Sequence, residues 1–254
     1  MSRIKGVIFD LGNTLMYLDH EWEEAINQGG RDLAEFLVGQ GFNVDAAQFA
    51  DSFISLRRSL WVRARERQVE YTTDYTLVTL LAQLGYENVS QELIEDAVNA
   101  FFSFEESYWQ AYPEAPATLR RLSEQGYRLA LISNATYDPL IQRLVDKGGL
   151  RKWLDAVLSS AGVGFRKPHP RIFQRVLDPW GFAPSQVVMI GDTLQFDILG
   201  AHNVGLKSIL ATWDLYPNYD LGNEDIVPDA RADSLTQLIE VITVLDGQDM
   251  EADG

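Results

Sequence analysis

The sequence predicts an α/β protein whose core is a Rossmann-like, doubly wound parallel sheet carrying an inserted all-helical domain. Two patterns lead to this prediction. Short apolar runs alternate with helical patterns in the second half of the chain, and a long stretch near the N-terminus has helical patterns alone. Of the 254 residues, 46% are hydrophobic and 23% charged, which are the proportions of a globular protein with a sizeable core.

Five short apolar runs predict buried parallel strands, because strands covered by helices on both faces are apolar throughout. They are residues 6–9, 128–133, 156–160, 187–191 and 207–211. Between them, amphipathic stretches predict a helix at 115–125, ending before Gly126, and another at 170–178, ending before Pro179. Strands and helices in alternation indicate right-handed βαβ units and a doubly wound sheet.

Residues 19–111, called the helical insert below, contain helical patterns but no run comparable to the predicted strands. The patterns cover residues 21–38, 45–67, 73–84 and 91–109. We therefore expect a helical cap domain at 19–111, inserted into a catalytic core made of 1–18 and 112–254. Residues 246–254 are polar and acidic, so we expect them to form a flexible tail.

The chain is strongly acidic, with 37 Asp and Glu against 21 Lys and Arg, a net charge of −16. This charge repels phosphate backbones and anionic lipids, so we expect no nucleic-acid or membrane partner. The absence of cysteine excludes disulfides, thiolate metal sites and a cysteine nucleophile. No apolar run approaches the roughly 18 residues of a membrane span, so we expect a cytoplasmic protein. The sequence leaves the oligomeric state open.

Polar side chains follow the predicted strands at the points where the strands end. They are Asp10 after the first strand, Ser133 and Asn134 after the second, Lys167 in the loop beyond the third, and Asp192 after the fourth. Ligands of open α/β sheets bind outside the carboxyl ends of the strands. A carboxylate, a hydroxyl, a cation and a second carboxylate at one edge suit phosphoryl transfer with Mg²⁺.

In these motifs the chain resembles the haloacid dehalogenase (HAD) superfamily of hydrolases along essentially its whole length. The four motifs occur in the family's order, as Asp10-Leu11-Gly12-Asn13-Thr14, Ser133-Asn134, Lys167 within Arg166-Lys167-Pro168-His169-Pro170, and Gly191-Asp192 with Asp197. Each short motif alone is weak evidence, but the four together are specific. The helical insert, placed after the first motif, resembles the family's C1-type cap.

The resemblance implies a role for each matching residue. Asp10 would attack phosphorus and form an aspartyl-phosphate, Ser133 would donate a hydrogen bond to the phosphoryl group, and Lys167 would hold both electrostatically. The backbone N–H groups of Leu11 and Gly12 would donate hydrogen bonds to the phosphoryl oxygens, and Asn134 would also bind substrate. The implied cofactor is Mg²⁺, with Asp10, Asp192 and the Gly12 carbonyl as ligands and Asp197 supporting the metal or Lys167.

Gly12 is the one departure from the pattern, because family phosphatases usually carry a second aspartate there that protonates the leaving group. General acid-base catalysis is typically worth about 10²–10⁴-fold. The substrate could be a small phosphomonoester with a good leaving group, or Asp19 or His20 could supply the acid. Alternatively, the chain could be a 2-haloacid dehalogenase, a catalytically weakened binding protein or a phosphotransferase.

Asp192 discriminates between hydrolysis of a phosphate ester and hydrolysis of a carbon–halogen bond. Hydrolysis of a carbon–halogen bond needs no metal, and family dehalogenases lack the acidic residue that follows the glycine of the fourth motif. A carboxylate facing Asp10 with no cation between them would cost repulsion and desolvation. The sequence therefore favours a metal-dependent phosphatase over a dehalogenase.

The helical insert also carries clustered arginines and aromatic residues. The arginines are Arg57, Arg58, Arg63, Arg65 and Arg67, and the aromatic residues include Trp61, Tyr71, Tyr75, Phe104, Tyr108 and Trp109. We interpret the arginines as a solvated helix face, although one or two could cross the cleft and clamp an anionic part of the substrate. We expect the aromatic residues in the core of the insert, although one or two near the cleft could line it.

Overall fold

The computed structural model describes residues 4–214 and 225–251 of the chain. Its strands are β1 (Gly6–Phe9), β2 (Met16–Leu18), β3 (Trp109–Ala111), β4 (Arg128–Ser133), β5 (Ala156–Ser159), β6 (Val187–Gly191), β7 (Lys207–Ala211) and β8 (Ala230–Ala232). Six of them form a parallel sheet in the order β5-β4-β1-β6-β7-β8. The fold class is confirmed: helices flank a parallel, Rossmann-like sheet.

The register of the sheet explains why the polar residues meet. Strand β1 lies in the centre, and its Phe9 is opposite Leu131 of β4 and Ile190 of β6. All three strands are parallel and buried, so their carboxyl ends emerge side by side. Asp10 directly follows Phe9, and the motif residues after β4 and β6 therefore come out at the same edge.

The helices are α1 (Trp22–Gly39), α2 (Ala46–Arg67), α3 (Thr73–Gln83), α4 (Gln91–Tyr108), α5 (Ala115–Glu124), α6 (Asp138–Lys147), α7 (Ser160–Val163), α8 (Pro170–Trp180), α9 (Leu199–Asn203) and α10 (Leu238–Glu251). The first four form the helical insert. Asp45, Thr72 and Ser90 cap α2, α3 and α4 by accepting a backbone N–H, as their side chains commonly do at helix starts. Phe53 and Phe101 pack edge to face at 5.3 Å between α2 and α4.

A two-stranded antiparallel ribbon lies where the helical insert meets the sheet. In this ribbon β2 pairs with β3, and Met16 is opposite Ala111. Strands β2 and β3 were not predicted, and the predicted helix at 91–109 is one residue too long, because Trp109 adopts extended backbone angles to pair with β2. The division into 1–18, 19–111 and 112–254 stays a prediction.

The predicted end of helix α8 and the predicted number of strands need correction, and the C-terminal residues differ from a simple polar tail. Helix α8 continues past Pro179 to Trp180, whose buried ring packs against Gly6 and stabilises the last turn. Helix α10 extends to Glu251, and Asp246 accepts a hydrogen bond from the Ile4 N–H at 2.7 Å, whereas the expectation of a flexible tail at 246–254 stays a prediction. Residues 252–254 lie outside the described residues. Strand β8 was missed because Ala-Arg-Ala gives no apolar run.

The expectation that the aromatic residues of the insert are buried is wrong at two positions. Trp61 is 36% exposed and Tyr75 49% exposed, whereas Trp109 is buried. Trp61 lines the cavity between the insert and the sheet edge, and helical spacing alone did not show this. Across the part of the chain that the structure describes, no helix combines the length and apolarity needed to cross a membrane.

Candidate active site

A buried lysine connects two of the predicted carboxylates. Lys167 is 1% exposed, and its ammonium donates hydrogen bonds to Asp10 Oδ1 at 2.5 Å and to Asp197 Oδ1 at 2.6 Å. Burial lowers the pKa of Lys167, but Asp10 and Asp197 together outweigh it, so the pKa lies above its ordinary value. Lys167 is therefore a permanently charged group beside the candidate nucleophile.

The carboxylates of the site carry more charge than this lysine neutralises. Burial raises the pKa of Asp10 to about 6; Lys167 opposes the rise and Asp197 adds to it. The pKa of Asp192 is raised well above its ordinary value, first by burial and then by repulsion from Asp10 and Asp197. Three carboxylates and one ammonium leave two negative charges in excess when all are ionised, a situation that favours a bound cation.

Asp197 is held by hydrogen bonds to both of its carboxylate oxygens. Oδ1 accepts from Lys167, and Oδ2 accepts from the N–H and the hydroxyl of Thr193 at 3.0 and 2.6 Å. One π-helical turn, Leu194–Ile198, brings Asp197 back to this position; such turns are frequent at functional sites. Asp197 is therefore better placed to orient Lys167 than to bind a metal directly.

Gly191 makes room for Asp197. A Cβ atom at position 191 would lie 2.2 Å from Asp197 Cγ, which is a severe overlap. The glycine before Asp192 thus has a packing role that the sequence analysis did not assign. The signal was available in the sequence, because a glycine at the end of a buried apolar strand indicates a close approach of another group.

Ser133 and Asn134 lie where predicted but differ in what they contact. Both line the same cavity as Asp10. The Asn134 amide is engaged with the backbone of Lys167: Oδ1 accepts from the Lys167 N–H at 2.8 Å, and Nδ2 donates to the Lys167 carbonyl at 3.0 Å. The structure therefore favours a positioning role for Asn134, and leaves Ser133 as the cavity-lining residue of this pair that suits contact with substrate.

The loop after β1 places Leu11 and Gly12 beside the carboxylates. Asn13 adopts a left-handed conformation with φ 53°, and its side chain donates to Asp192 Oδ2 at 3.3 Å. A Cβ atom on Gly12 would lie 3.5 Å from Trp109 Cη2, so the indole edge faces this position. Position 12, where family phosphatases usually carry the second aspartate, therefore lies next to an aromatic side chain.

The donor set fits a divalent cation of the magnesium type. One oxygen from each of Asp10, Asp192 and Asp197 lies within 4.8 Å of the others, and hard cations prefer such oxygen ligands. Asp10, Gly12 and Asp192 all line the cavity. Among the described residues, we identify no cluster of histidines that could compete.

A cavity of about 560 Å³ opens over this site and lies between the sheet edge and the helical insert. Apolar and aromatic side chains form one part of its lining, including Trp22, Ile26, Phe102, Trp109, Tyr137 and Leu140. Glu23, Arg57, Glu70 and Glu105 are its charged residues from the insert. Sequence reasoning missed the three glutamates, since none of them lies in a motif.

One arginine of the cluster enters the cavity and the others stay outside or at its rim. Arg57 donates to the Thr136 hydroxyl at 3.3 Å, and its buried Nε has no hydrogen-bond partner among the described residues. Arg65 reaches Gln195 at 2.7 Å, while Arg58 pairs with Glu23 on the surface. The alternative interpretation, an arginine reaching across the cleft, thus has geometric support at Arg57.

Neither residue considered as a substitute acid lies in the cavity. The Asp19 carboxylate accepts from Gln110, and His20 stacks on Tyr108 with ring centroids 4.4 Å apart. Glu105 does line the cavity; burial raises its pKa, and it accepts a 3.4 Å hydrogen bond from the Trp109 indole. It is the carboxyl group of the insert whose surroundings best suit a proton donor.

Comparisons with known proteins agree with this geometry. A family model described as a hydrolase, haloacid dehalogenase-like hydrolase, matches residues 4–205. A glyceraldehyde 3-phosphate phosphatase from Pyrococcus furiosus is 28% identical over 99% of this chain and 98% of that protein. A phosphoserine phosphatase from Thermus thermophilus is 33% identical over 60% of this chain and 63% of that protein.

Solved structures resemble the chain over nearly its full length. The structure of a 2-haloacid dehalogenase from Pseudomonas syringae pv. Tomato DC3000 matches with a TM-score of 0.71 and 26% identity, covering 95% of this chain and 99% of that one. The similar proteins therefore include phosphatases and a dehalogenase, and the site must distinguish the two chemistries.

We expect Mg²⁺ to raise the melting temperature more at about pH 7.5 than at about pH 5. The folded state raises the pKa of Asp10 from 3.8 to about 6, so the metal-free protein loses stability as the pH rises through this interval. A cation that binds the ionised carboxylates offsets the loss. Thermal unfolding with and without Mg²⁺ measures it, and Asp192→Asn should respond less. Equal Mg²⁺ shifts at both pH values, or in both proteins, would contradict the metal assignment.

Gly191→Ala should destabilise the protein by about 1–3 kcal/mol and remove most of its activity, because the new methyl group would displace Asp197 from Lys167. Denaturant unfolding and ester hydrolysis measure the two effects. Gly39→Ala is the matched control, since a Cβ there meets no atom within 4 Å. Wild-type stability and turnover in Gly191→Ala would show that Asp197 tolerates displacement.

Proposed function

Because the chain belongs to the haloacid dehalogenase-like hydrolase family, we propose that it is a Mg²⁺-dependent phosphatase that hydrolyses a small phosphomonoester through an aspartyl-phosphate on Asp10. The phosphatases among its relatives support the reaction class. The partner is then a small-molecule phosphate ester. Its binding is compatible with the net charge of −16, because the cationic groups of the site act locally and distant surface charges are screened.

The observation that carries this proposal is the position of Asp192. Its carboxylate lies buried close to Asp10, and burial together with repulsion raises its pKa. A dehalogenase would bear this cost without any benefit, whereas a metal-dependent phosphatase needs the second carboxylate as a ligand. Mg²⁺ held by Asp10, Asp192 and the Gly12 carbonyl would neutralise charge on the phosphoryl group.

The residues of the chain then divide the reaction into two displacements. Lys167 occupies Asp10 Oδ1, which leaves Oδ2 as the attacking oxygen. Oδ2 forms a bond to phosphorus while the ester P–O bond breaks and the leaving oxygen departs with the bonding electrons. A water molecule then attacks phosphorus, the acyl phosphate bond breaks, and inorganic phosphate and the Asp10 carboxylate result. Ser133 and Lys167 stabilise the phosphoryl oxygens in both steps.

The dehalogenase alternative keeps a specific observation in its favour. Gly12 removes the acid that phosphatases use, a halide needs no proton on departure, and the 2-haloacid dehalogenase structure resembles the chain closely. A catalytically weakened binding protein would also explain Gly12, but not a fully assembled set of Asp10, Ser133, Lys167 and Asp192. A phosphotransferase would form transfer product when an alcohol acceptor is added.

A screen of phosphate esters with and without Mg²⁺ tests the proposal. We expect turnover that requires the divalent cation and falls at least about 10³-fold in Asp10→Asn, because the nucleophile is lost. Circular dichroism should show that this variant remains folded, and Asp51→Asn, on an exposed position of α2, should keep full activity. Halide release from a 2-haloacid, together with no hydrolysis of any ester, would establish the alternative.

Hydrolysis rates should fall steeply as the leaving group becomes less acidic, because Gly12 cannot protonate it. We expect aryl and acyl phosphates to react faster than sugar phosphates, and a series of substituted phenyl and alkyl phosphates measures the slope. Equal rates for aryl and alkyl esters would mean that another residue supplies the proton. In that case Glu105→Gln should slow the alkyl esters selectively, which would identify Glu105 as the acid.

A further inference from the structure

The linker between α2 and α3 pairs with the loop that leads to Lys167. The Arg166 N–H donates to the Gln68 carbonyl at 3.2 Å, and the Glu70 N–H donates to the Gly164 carbonyl at 3.0 Å. Between these bonds, Val69 and Phe165 form an antiparallel bridge. We call residues 68–70 and 164–166 the linker clasp. It joins the middle of the helical insert to the core, far along the chain from the β2–β3 ribbon.

A buried charge pair lies inside the linker clasp. The Glu70 side chain is 1% exposed and that of Arg166 is 5% exposed, and Glu70 Oε1 lies 3.5 Å from Arg166 Nη1. The other carboxylate oxygen, Oε2, lies 2.6 Å from the Ser160 hydroxyl. Buried charges are costly unless they are well paired and hydrogen-bonded, so the geometry of this pair is constrained.

The partners of Glu70 are connected to both loops that carry catalytic groups. The Ser160 hydroxyl accepts from the Ala135 N–H at 2.9 Å, two residues beyond Ser133. Arg166 directly precedes Lys167, whose backbone is bound by Asn134. The loop that carries Lys167 and the loop that follows Ser133 are therefore both attached, through one or two contacts, to the Glu70 carboxylate of the helical insert.

We propose that Glu70 is a positioning residue that couples docking of the helical insert to the placement of Lys167 and Ser133. When the linker is docked, Glu70 fixes both loops and Lys167 meets Asp10. When the linker leaves, Ser160 and Arg166 lose their shared partner and both loops relax. The kinetic part of this inference rests on the proposed phosphatase function.

Glu70→Gln tests the inference, because the amide keeps the size of the side chain and a hydrogen bond to Ser160 but loses the charge that faces Arg166. Glu66→Gln is the matched control, with the same change at an exposed position near the end of α2. We expect kcat to fall about tenfold in Glu70→Gln, in the range of couplings within a buried network, with KM nearly unchanged. The control should match wild type.

Hydrogen exchange separates positioning from general stability. We expect faster exchange in Glu70→Gln at residues 133–136 and 164–167, with unchanged exchange in β1, β6 and α1. Ser160→Ala should produce the same local pattern at 133–136, and its effect on kcat should not add to that of Glu70→Gln. Ser160→Ala also carries the test if Glu70→Gln does not fold.

Unchanged kcat in a folded Glu70→Gln variant, or additive effects of the two substitutions, would overturn the inference. So would faster exchange spread over the whole protein, because it would mark Glu70 as a stabilising residue only. If the wild-type protein hydrolyses no phosphate ester, the proposed function fails. The exchange measurement then still tests the positioning role of Glu70. Faster exchange confined to residues 133–136 and 164–167 supports this role, and unchanged exchange there refutes it.

Discussion

The structure of the site depends on one buried ammonium group held between two carboxylates. Lys167 can lie at 1% exposure only because Asp10 and Asp197 accept its hydrogen bonds, and each carboxylate needs the lysine in turn. Three local features hold this triplet in place. They are the π-helical turn that carries Asp197, the small Gly191 against which Asp197 packs, and the Asn134 amide that binds the Lys167 backbone.

Much of the site could be predicted because parallel strands place their carboxyl ends at one edge. Asp10 and Asp192 directly follow buried strands and Ser133 ends one, so the sheet alone brings them together. The residues that sequence reasoning missed come from pairings between distant segments. Glu70 and Arg166 are separated by 96 residues, and no local pattern links a glutamate in a short linker to an arginine in a loop.

The acidity of the chain and the chemistry of the site are connected through burial. Exposed carboxylates repel one another weakly because water and salt screen them, but Asp10 and Asp192 lie where screening is poor. Their raised pKa values show that the metal-free site resists full ionisation. A divalent cation relieves this repulsion, so the arrangement that disfavours the empty protein favours binding of metal and phosphate.

A crystal structure with Mg²⁺ and beryllofluoride, which mimics a phosphoryl group on aspartate, tests the central claim most directly. The account predicts beryllofluoride bonded to Asp10, with the metal between Asp10 and Asp192 and with Lys167 and Ser133 on the fluorides. It also predicts no beryllofluoride complex when Mg²⁺ is omitted. Beryllofluoride on another side chain, a metal that avoids Asp192, or equal binding without any divalent cation would contradict the account.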